Sequence, residues 1–180
     1  GQKLSKSANV TVDPIEAAEK YGADALRYFL MREIPFDRDG NFSWEKFKDR
    51  YDADLANDLG NLLNRVIAMI GRYCGGKIPQ PSTPQPIDTE VIEMAQQTVQ
   101  NACSAIEELN LSAALTETWA LIGRCNRYVE ETAPWKVRKE GPPERLSTIL
   151  YLLAEAVRIV GGLVFPFMPG TAEKIWKQLG

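Results

Sequence analysis

Two lysines near the beginning of the chain are placed where they could act on a phosphate chain. The run Lys3-Leu4-Ser5-Lys6-Ser7 holds two ammonium groups three residues apart, with hydroxyl side chains between and after them. Two such lysines can clamp a polyphosphate and neutralise the charge that develops during phosphoryl or nucleotidyl transfer. Most Lys/Ser runs are solvated surface, so this run establishes the chemistry only in a suitable context.

A second set of residues could bind nucleic-acid bases. Asn61 and Arg65 are four apart and project from the same face of a predicted helix, where an amide and a guanidinium can bond the edges of unstacked bases. Trp135 follows Pro134, which ends a predicted helix, so its ring lies at an edge where a base could stack. Taken one at a time, these residues are more often structural: a solvated Asn, an Arg paired with Asp58, a Trp in the core.

The composition excludes several classes of site. The 180 residues include no histidine, which rules out Ser-His-Asp and Cys-His catalysis and histidine-ligated metals within this chain. The three cysteines, Cys74, Cys103 and Cys125, are odd in number and lack a C-x-x-C spacing. We therefore predict no metal site and no disulfide framework, and a reducing cytoplasm as the location.

The net charge and the hydropathy pattern limit the kinds of partner that the chain can have. The net charge of −3 argues weakly against nucleic acid, but the local distribution of Lys and Arg decides that question. The longest uncharged run, residues 159–172, has 14 residues, too few to span a bilayer, and no signal peptide is recognisable. The sequence predicts no membrane partner.

The elements that must position these residues are helices. From residue 14 onward the apolar period is 3.6, with no convincing period-2 segment, which predicts an all-α antiparallel helix bundle. A proline-rich linker covers residues 75–86. The predicted helices cover about 14–21, 23–33, 43–73, 88–109, 112–132 and 143–164, and a short one begins near 169.

Apolar stripes predict the core. The helix from 143 has two apolar sides, so we expect it to be central. The predicted buried residues of the other helices are Leu26, Phe29 and Leu30; Leu55, Leu59, Leu62, Val66 and Met69/Ile70; Val91, Ala95, Val99, Ala102 and Ile106; and Leu115, Trp119, Ile122, Cys125 and Val129.

The motifs resemble those of a known family when they are taken in order. The run 3–7 looks like the K-M-S-K-S signature loop of class I aminoacyl-tRNA synthetases, with Leu4 at the apolar position. The segments 9–14 and 21–28 resemble the sequence that follows that loop. The segments 32–36, 39–43, 54–62, 126–128 and 133–135 are similar to methionyl-tRNA synthetases, so the resemblance covers essentially the whole chain.

The resemblance implies an architecture of two parts. Residues 1–42 would be the end of a catalytic domain, with the signature loop and a helical connector that contacts tRNA. Residues 43–180 would be the helix-bundle anticodon-binding domain. Residues 1–12 lack the apolar pattern of the helices, and the last four residues stop within helical sequence. Both features predict a piece of a longer protein, whose H-I-G-H signature and zinc-bearing insertion would lie upstream.

The resemblance also implies a function, that of a methionine–tRNA ligase. Such an enzyme activates methionine with ATP, bound with Mg²⁺, and transfers it to initiator and elongator tRNA(Met); zinc belongs only to the upstream part, and DNA is not a partner. Lys3 and Lys6 would be the catalytic residues that contact the ATP phosphates. The ATP-binding loop would comprise Lys3, Leu4, Ser5, Lys6 and Ser7, and the anticodon would be recognised by Asn61, Arg65 and Trp135.

Other functions stay open at this point. The chain could be a stand-alone tRNA-binding helical module, or part of a leucyl, isoleucyl, valyl or cysteinyl synthetase. A purely structural helical scaffold would leave the run 3–7 unexplained. An H-I-G-H motif upstream would decide for the enzyme, although the chain by itself is not expected to form the adenylate.

Overall fold

The computed structural model describes residues 2–3, 14–34 and 41–180, with the backbone alone for residues 2, 3 and 41. Helices dominate this part of the chain, which confirms the all-α prediction. The helices are α1 (Pro14–Tyr21), α2 (Ala23–Glu33), α3 (Trp44–Arg50), α4 (Asn61–Cys74), α5 (Pro86–Glu107), α6 (Leu111–Thr132), α7 (Pro134–Glu140), α8 (Pro143–Val164) and α9 (Pro169–Leu179).

A short antiparallel ladder joins the region of the signature loop to the beginning of α3. Strand β1 (Gln2–Lys3) pairs with β2 (Asn41–Phe42), and Lys3 lies opposite Asn41. Ser43 follows β2, and its hydroxyl accepts the Lys46 N–H at 3.4 Å, which caps α3. The chain thus passes from the ladder directly into the helix that leads to Asn61 and Arg65.

The predicted helix over 43–73 is continuous but not uniform. Between α3 and α4, residues Tyr51–Gly60 wind as a π-helix, and the Asn61 N–H still bonds the Ala56 carbonyl five residues back. Its apolar stripe is otherwise as predicted: Leu59, Leu62, Val66 and Ile70 are buried, and Leu55 and Met69 are half-buried.

The predicted stripe on α5 is wrong at Val99, and Ile106 is only half-buried. Val99 is 37% exposed, whereas the neighbouring Thr98 is buried. The inward face of α5 steps by four and then three residues, so after Ala95 it continues at Thr98 and Ala102. The prediction placed the three-residue step one turn too late, because Val99 is the more apolar residue.

On α2 the prediction is also corrected. Phe29 is buried, but Leu26 and Leu30 are only half-buried, and Tyr28 is fully buried. The Tyr28 hydroxyl donates to the buried Asp54 carboxylate at 2.6 Å, so a polar partner within the core compensates for its burial. A hydrophobic stripe does not predict such a partner.

Helix α8 is the centre of the bundle, as predicted. It packs against α4, α5, α6, α7 and α9. By length and composition it is apolar enough to cross a membrane, but more than half of that stretch is buried by the surrounding helices. Its role as the core helix accounts for its composition. The residues buried on it include Leu146, Ile149, Leu150, Leu153, Val157, Val160 and Val164.

A smaller aromatic core lies beside the main one and joins α2, β2 and α3. Phe29 meets Phe42 and Phe47 edge-to-face at ring distances of 5.3 and 5.1 Å. Ala25 completes this cluster. Because the cluster includes residues on both sides of position 42, it fixes the connector to the beginning of the bundle.

A buried polar network anchors the proline-rich linker. The Asp88 carboxylate accepts hydrogen bonds from the Gln85 N–H at 2.8 Å, the Tyr128 hydroxyl at 2.6 Å and both terminal nitrogens of Arg145. Asp88 is fully buried, and its partners belong to the linker end, α6 and α8. The network therefore holds the start of α5 against two other helices.

Candidate nucleic-acid interface

Arg65 and Trp135, which are 70 residues apart in sequence, meet on the surface of the bundle. The Arg65 guanidinium lies over the Trp135 ring, 5.8 Å from its centroid. The Trp135 side chain is 37% exposed, so its ring is accessible to a ligand. A cation over an indole face is a stabilising arrangement that also holds both groups in a fixed geometry.

The local sequence places Trp135 at this position. Helix α6 ends at Thr132, and the capping residue Ala133 adopts a left-handed backbone conformation with φ of 42°. Pro134, which is buried, then begins α7. Proline is well suited to the first position of a helix, where its missing N–H is not needed. The chain therefore turns sharply, and Trp135 is the next side chain that can point outward.

Asn61 lies one helical turn before Arg65, at the first position of α4. Its side chain is exposed, and within the described residues its amide has no hydrogen-bond partner. Asn61 and Arg65 thus share a face of α4, as their spacing predicts. The amide is free to bond a base edge.

A glutamate that the sequence did not single out completes the arrangement. Glu130 Oε1 lies 2.7 Å from Arg65 Nη2, and the Glu130 side chain is 63% exposed. The alternative pairing of Arg65 with Asp58 is wrong. The Asp58 carbonyl instead accepts from the Asn126 amide at 3.2 Å, and burial, together with the nearby charge of Asp54, raises the pKa of the Asp58 carboxyl.

The signature-loop residues are described only in part. The backbone of Lys3 belongs to the β1–β2 ladder. Leu4, Ser5, Lys6 and Ser7 lie outside the described residues. The structure therefore brings Asn61, Arg65 and Trp135 together, and their relation to the loop stays a prediction.

Metal ligands and reactive thiols are not part of this surface. Among the described residues, no three Cys, Asp or Glu side chains gather as metal ligands would. Cys74, Cys103 and Cys125 are free thiols, and burial raises the pKa of Cys125 to about 12. That thiol is unreactive at neutral pH.

Two protein families match this chain in succession. Residues 1–67 match the family described as tRNA synthetases class I (M), and residues 78–180 match the anticodon binding domain of methionyl tRNA ligase. The second match contains Trp135 and Glu130, and the first contains Asn61 and Arg65.

Individual relatives agree with both matches. The methionine–tRNA ligase of Caldanaerobacter subterraneus subsp. tengcongensis is 48% identical over 100% of this chain and 28% of its own length. That of Bacillus subtilis is 45% identical over 99% of this chain and 27% of its own length. The chain thus spans little more than a quarter of these curated relatives.

Solved structures have the same fold. Mycobacterium tuberculosis methionyl-tRNA synthetase in complex with methionyl-adenylate superposes with a TM-score of 0.92 at 36% identity, covering 98% of this chain and 35% of that one. The sequence similarity and the structural superposition therefore both extend over almost the whole chain. The chain belongs to the methionyl-tRNA synthetase family.

Proposed function

We propose that the chain acts in a methionine–tRNA ligase and supplies the surface that recognises the anticodon. The observation that carries the proposal is the Arg65 guanidinium over the exposed ring of Trp135, 5.8 Å from its centroid, with the free amide of Asn61 one turn away. The ligands of this surface are initiator and elongator tRNA(Met), whose anticodon is C-A-U.

Each of the three side chains has a distinct task. Trp135 stacks on an anticodon base that is no longer stacked on its neighbours in the loop, and this contact contributes about 1–3 kcal/mol. Arg65 and Asn61 hydrogen-bond the edges of neighbouring bases, because single-stranded RNA presents those edges to side chains. Stacking provides affinity with little sequence preference, so base discrimination belongs to Arg65 and Asn61.

The arrangement of Arg65 supports this task. Glu130 holds one end of the guanidinium, and within the described residues no other side chain bonds it. The planar group keeps further N–H donors in a fixed orientation beside the ring. A base that stacks on Trp135 thus meets donors that are already positioned, which reduces the entropy lost on binding.

The same proposal assigns the signature loop to ATP. Lys3 and Lys6 contact the nucleotide phosphates, and Lys6 stabilises pyrophosphate as methionyl-adenylate forms. Leu4, Ser5 and Ser7 shape the loop, and Mg²⁺ accompanies the nucleotide. The family match over residues 1–67 and the adenylate bound to the M. tuberculosis relative support this assignment.

The remaining parts of the proposal concern the whole protein. Residues 1–42 belong to the catalytic half and its connector, and residues 43–180 form the anticodon-binding domain. Zinc belongs to residues outside this chain, and the enzyme acts in the cytoplasm, where its tRNA substrates are.

Binding to tRNA transcripts tests the proposal. The 180-residue chain should bind a C-A-U transcript more tightly than the same transcript with an exchanged anticodon. Arg65→Ala and Trp135→Ala should each weaken C-A-U binding by about 1–3 kcal/mol, and Arg65→Ala should also narrow the gap between the two transcripts. Equal affinity of the unsubstituted chain for both transcripts would contradict the proposal.

A further inference from the structure

We propose that a cavity between the connector helix α2, the π-helical segment and α9 binds a free amino acid with an apolar aliphatic side chain. The cavity has a volume of about 490 Å³. Ligand pockets in proteins commonly measure about 300–1,000 Å³ and lie where separate parts of a chain meet. The inference is independent of the proposed function, because Asn61, Arg65 and Trp135 do not line this cavity.

The inner wall of the cavity is apolar. Leu59, Met168 and Ile175 are buried there, and Leu55 and Leu63 are half-buried. These side chains are contributed by the π-helical segment, α4 and the region of α9. An aliphatic group that enters the cavity leaves water and gains dispersion contacts with this wall. The wall therefore favours a ligand with an aliphatic side chain.

Asp24 gives the cavity a carboxylate that can accept a further hydrogen bond. Its Oδ2 accepts the N–H and the hydroxyl of Thr171 at 2.6 and 2.8 Å, which fixes the orientation of the carboxylate. Its Oδ1 accepts no hydrogen bond within the described residues. A carboxylate oxygen that is held in place in this way is a suitable partner for an ammonium group.

Lys174 supplies the opposite charge. It follows Thr171 by three residues, so it lies on the same face of α9, about 4.5 Å further along the helix axis. Asp24 and Lys174 both line the cavity, but Lys174 forms no ion pair with Asp24 or with any other residue that the structure describes. Each of the two charges is therefore available to a ligand group of opposite sign.

The combination of two charges and an apolar wall identifies the class of ligand. An α-amino acid carries its ammonium, its carboxylate and its side chain on one carbon atom. The ammonium bonds Asp24, the carboxylate bonds Lys174, and the aliphatic side chain enters the cavity. A fatty acid or an alkylamine matches only one of the two charges and leaves the other beside an unmatched group, which disfavours both.

Three related ligands test this assignment on the 180-residue chain. Isothermal titration calorimetry should detect L-leucine at a single site. Isopentylamine lacks the carboxylate of leucine and isocaproate lacks its ammonium, so each should bind about tenfold more weakly than L-leucine, or weaker still. L-Glutamate should also bind more weakly, because its side-chain carboxylate would lose water without gaining a partner in the apolar wall.

Substitution of Lys174 tests the orientation of the ligand. Lys174→Gln should weaken the binding of L-leucine about tenfold and leave that of isopentylamine unchanged, because the amine has no carboxylate to lose a partner. Lys177→Gln is the matched control: it removes an exposed lysine of α9 that does not line the cavity, and it should change neither affinity.

A second pair of variants tests the location of the site. Ala23 is exposed and lines the cavity, so Ala23→Phe places a ring there and should abolish binding of L-leucine. Ala53→Phe adds the same ring to an exposed position that does not line the cavity, and it should leave binding intact. Melting curves verify that each variant is folded.

Two results would overturn the inference without any variant. One is the absence of L-leucine binding up to its solubility limit, and the other is equal affinity for L-leucine, isopentylamine and isocaproate. Equal effects of Lys174→Gln and Lys177→Gln, or of Ala23→Phe and Ala53→Phe, would also overturn it. Failure of the chain to bind tRNA would refute the proposed function and leave this inference unaffected.

Discussion

At the scale of single residues, two tryptophans in very different surroundings separate binding from stability. Trp119 is 8% exposed and donates its indole N–H to the Asp54 carbonyl at 3.2 Å, whereas Trp135 is 37% exposed. Trp119→Ala should lower the free energy of unfolding by about 3–5 kcal/mol, and Trp135→Ala by much less. Urea unfolding measures both values. Equal destabilisation by the two variants would make Trp135 a core residue and not a stacking platform.

Glu130 offers a second prediction at this scale. Its ion pair with Arg65 is largely exposed, so Glu130→Gln should change the free energy of unfolding by no more than about 1 kcal/mol. Because Glu130 holds the Arg65 guanidinium in position, the substitution should weaken binding to the C-A-U transcript and reduce its advantage over a transcript with an exchanged anticodon.

The adjacent residue is the matched control for that prediction. Glu131 pairs with Arg124 at 2.9 Å, on a guanidinium that also holds Glu90. Glu131→Gln removes the same charge one position away without changing Arg65. If both variants changed tRNA binding equally, the contact between Glu130 and Arg65 would have no specific effect.

The sequence predicts part of this surface. The four-residue spacing of Asn61 and Arg65 predicts that they share one face, and Pro134 predicts a helix end that leaves Trp135 at an edge. The short helix α7, which begins at Pro134, is not predicted. Glu130 could not be found in this way, because it lies on a different helix 65 residues from Arg65 and has no motif around it. A contact between helices depends on their packing, which local periodicity does not determine.

At the scale of the elements, the π-helical segment depends on a glycine. A Cβ added to Gly60 would lie 3.0 Å from the Leu55 carbonyl oxygen, a backbone atom that cannot move away without distorting the segment. Gly60→Ala should therefore lower the free energy of unfolding, by about 1–3 kcal/mol.

Gly71 provides the contrasting substitution on the next helix. A Cβ at Gly71 meets nothing within 4 Å, so Gly71→Ala should raise the stability by up to about 1 kcal/mol through the helix propensity of alanine. Denaturant unfolding of both variants measures the difference. Stabilisation by both substitutions would show that the π segment tolerates a side chain at position 60.

The elements themselves are largely predictable, and the exceptions have physical causes. A period near 3.6 predicts where the chain is helical but does not distinguish an α-helix from a π-helix at residues 51–60. The same period leaves the choice between Thr98 and Val99 open, and hydrophobicity alone selects the wrong residue. Thr98 is buried because the packing of α5 against α6 and α8 determines which face of the helix points inward.

The network around Asp88 makes the attachment of α5 depend on pH. Burial alone would raise the pKa of Asp88, but the hydrogen bonds from Arg145, the Gln85 N–H and Tyr128 together hold it below its ordinary value. The folded state therefore binds this proton more weakly than the unfolded state. Its contribution to stability is present above the unfolded pKa and is lost as the pH falls through about 4 and below.

Substitution of Asp88 tests that contribution. Asp88→Asn leaves Arg145 without a carboxylate in a nearly buried position, which should cost about 3–5 kcal/mol at neutral pH. Below pH 4 the stability of the variant should vary less with pH than that of the unsubstituted chain. Glu155→Gln, which removes an exposed partner of Arg158, is the control and should cost less than about 1 kcal/mol. Parallel pH profiles for Asp88→Asn and the unsubstituted chain would contradict the assignment.

At the scale of the whole molecule, polar contacts attach the connector helix α2 to both ends of the bundle. Arg27 donates to the carbonyls of Phe167 and Pro166 at 2.8 and 2.9 Å, where α8 gives way to α9. Arg32 donates to Thr116 Oγ1 at 2.7 Å on α6. These partners are separated from α2 by 84 to 140 residues, so the sequence predicts the connector but not how it docks.

The same helix also caps α9. The Asp24 carboxylate accepts the Thr171 N–H at 2.6 Å and the Thr171 hydroxyl at 2.8 Å, whereas the N-cap residue Met168 has no side-chain acceptor of its own. A carboxylate at a helix N-terminus satisfies a free N–H and interacts favourably with the helix dipole. The cap therefore connects the fold of α9 to the docking of α2.

Removing that cap should loosen both elements while the rest of the bundle stays intact. Asp24→Ala should cost about 1–2 kcal/mol locally, so amide hydrogen exchange in α2 and the first turns of α9 should accelerate by roughly 5- to 30-fold. Exchange in α5 should be unchanged, because α5 packs mainly against α6 and α8 and not against α2 or α9. Asp49→Ala, which removes an exposed acid of α3 without a partner among the described residues, should leave all of these rates unchanged. An equal acceleration in α5 would show that the connector and the bundle open only as one unit.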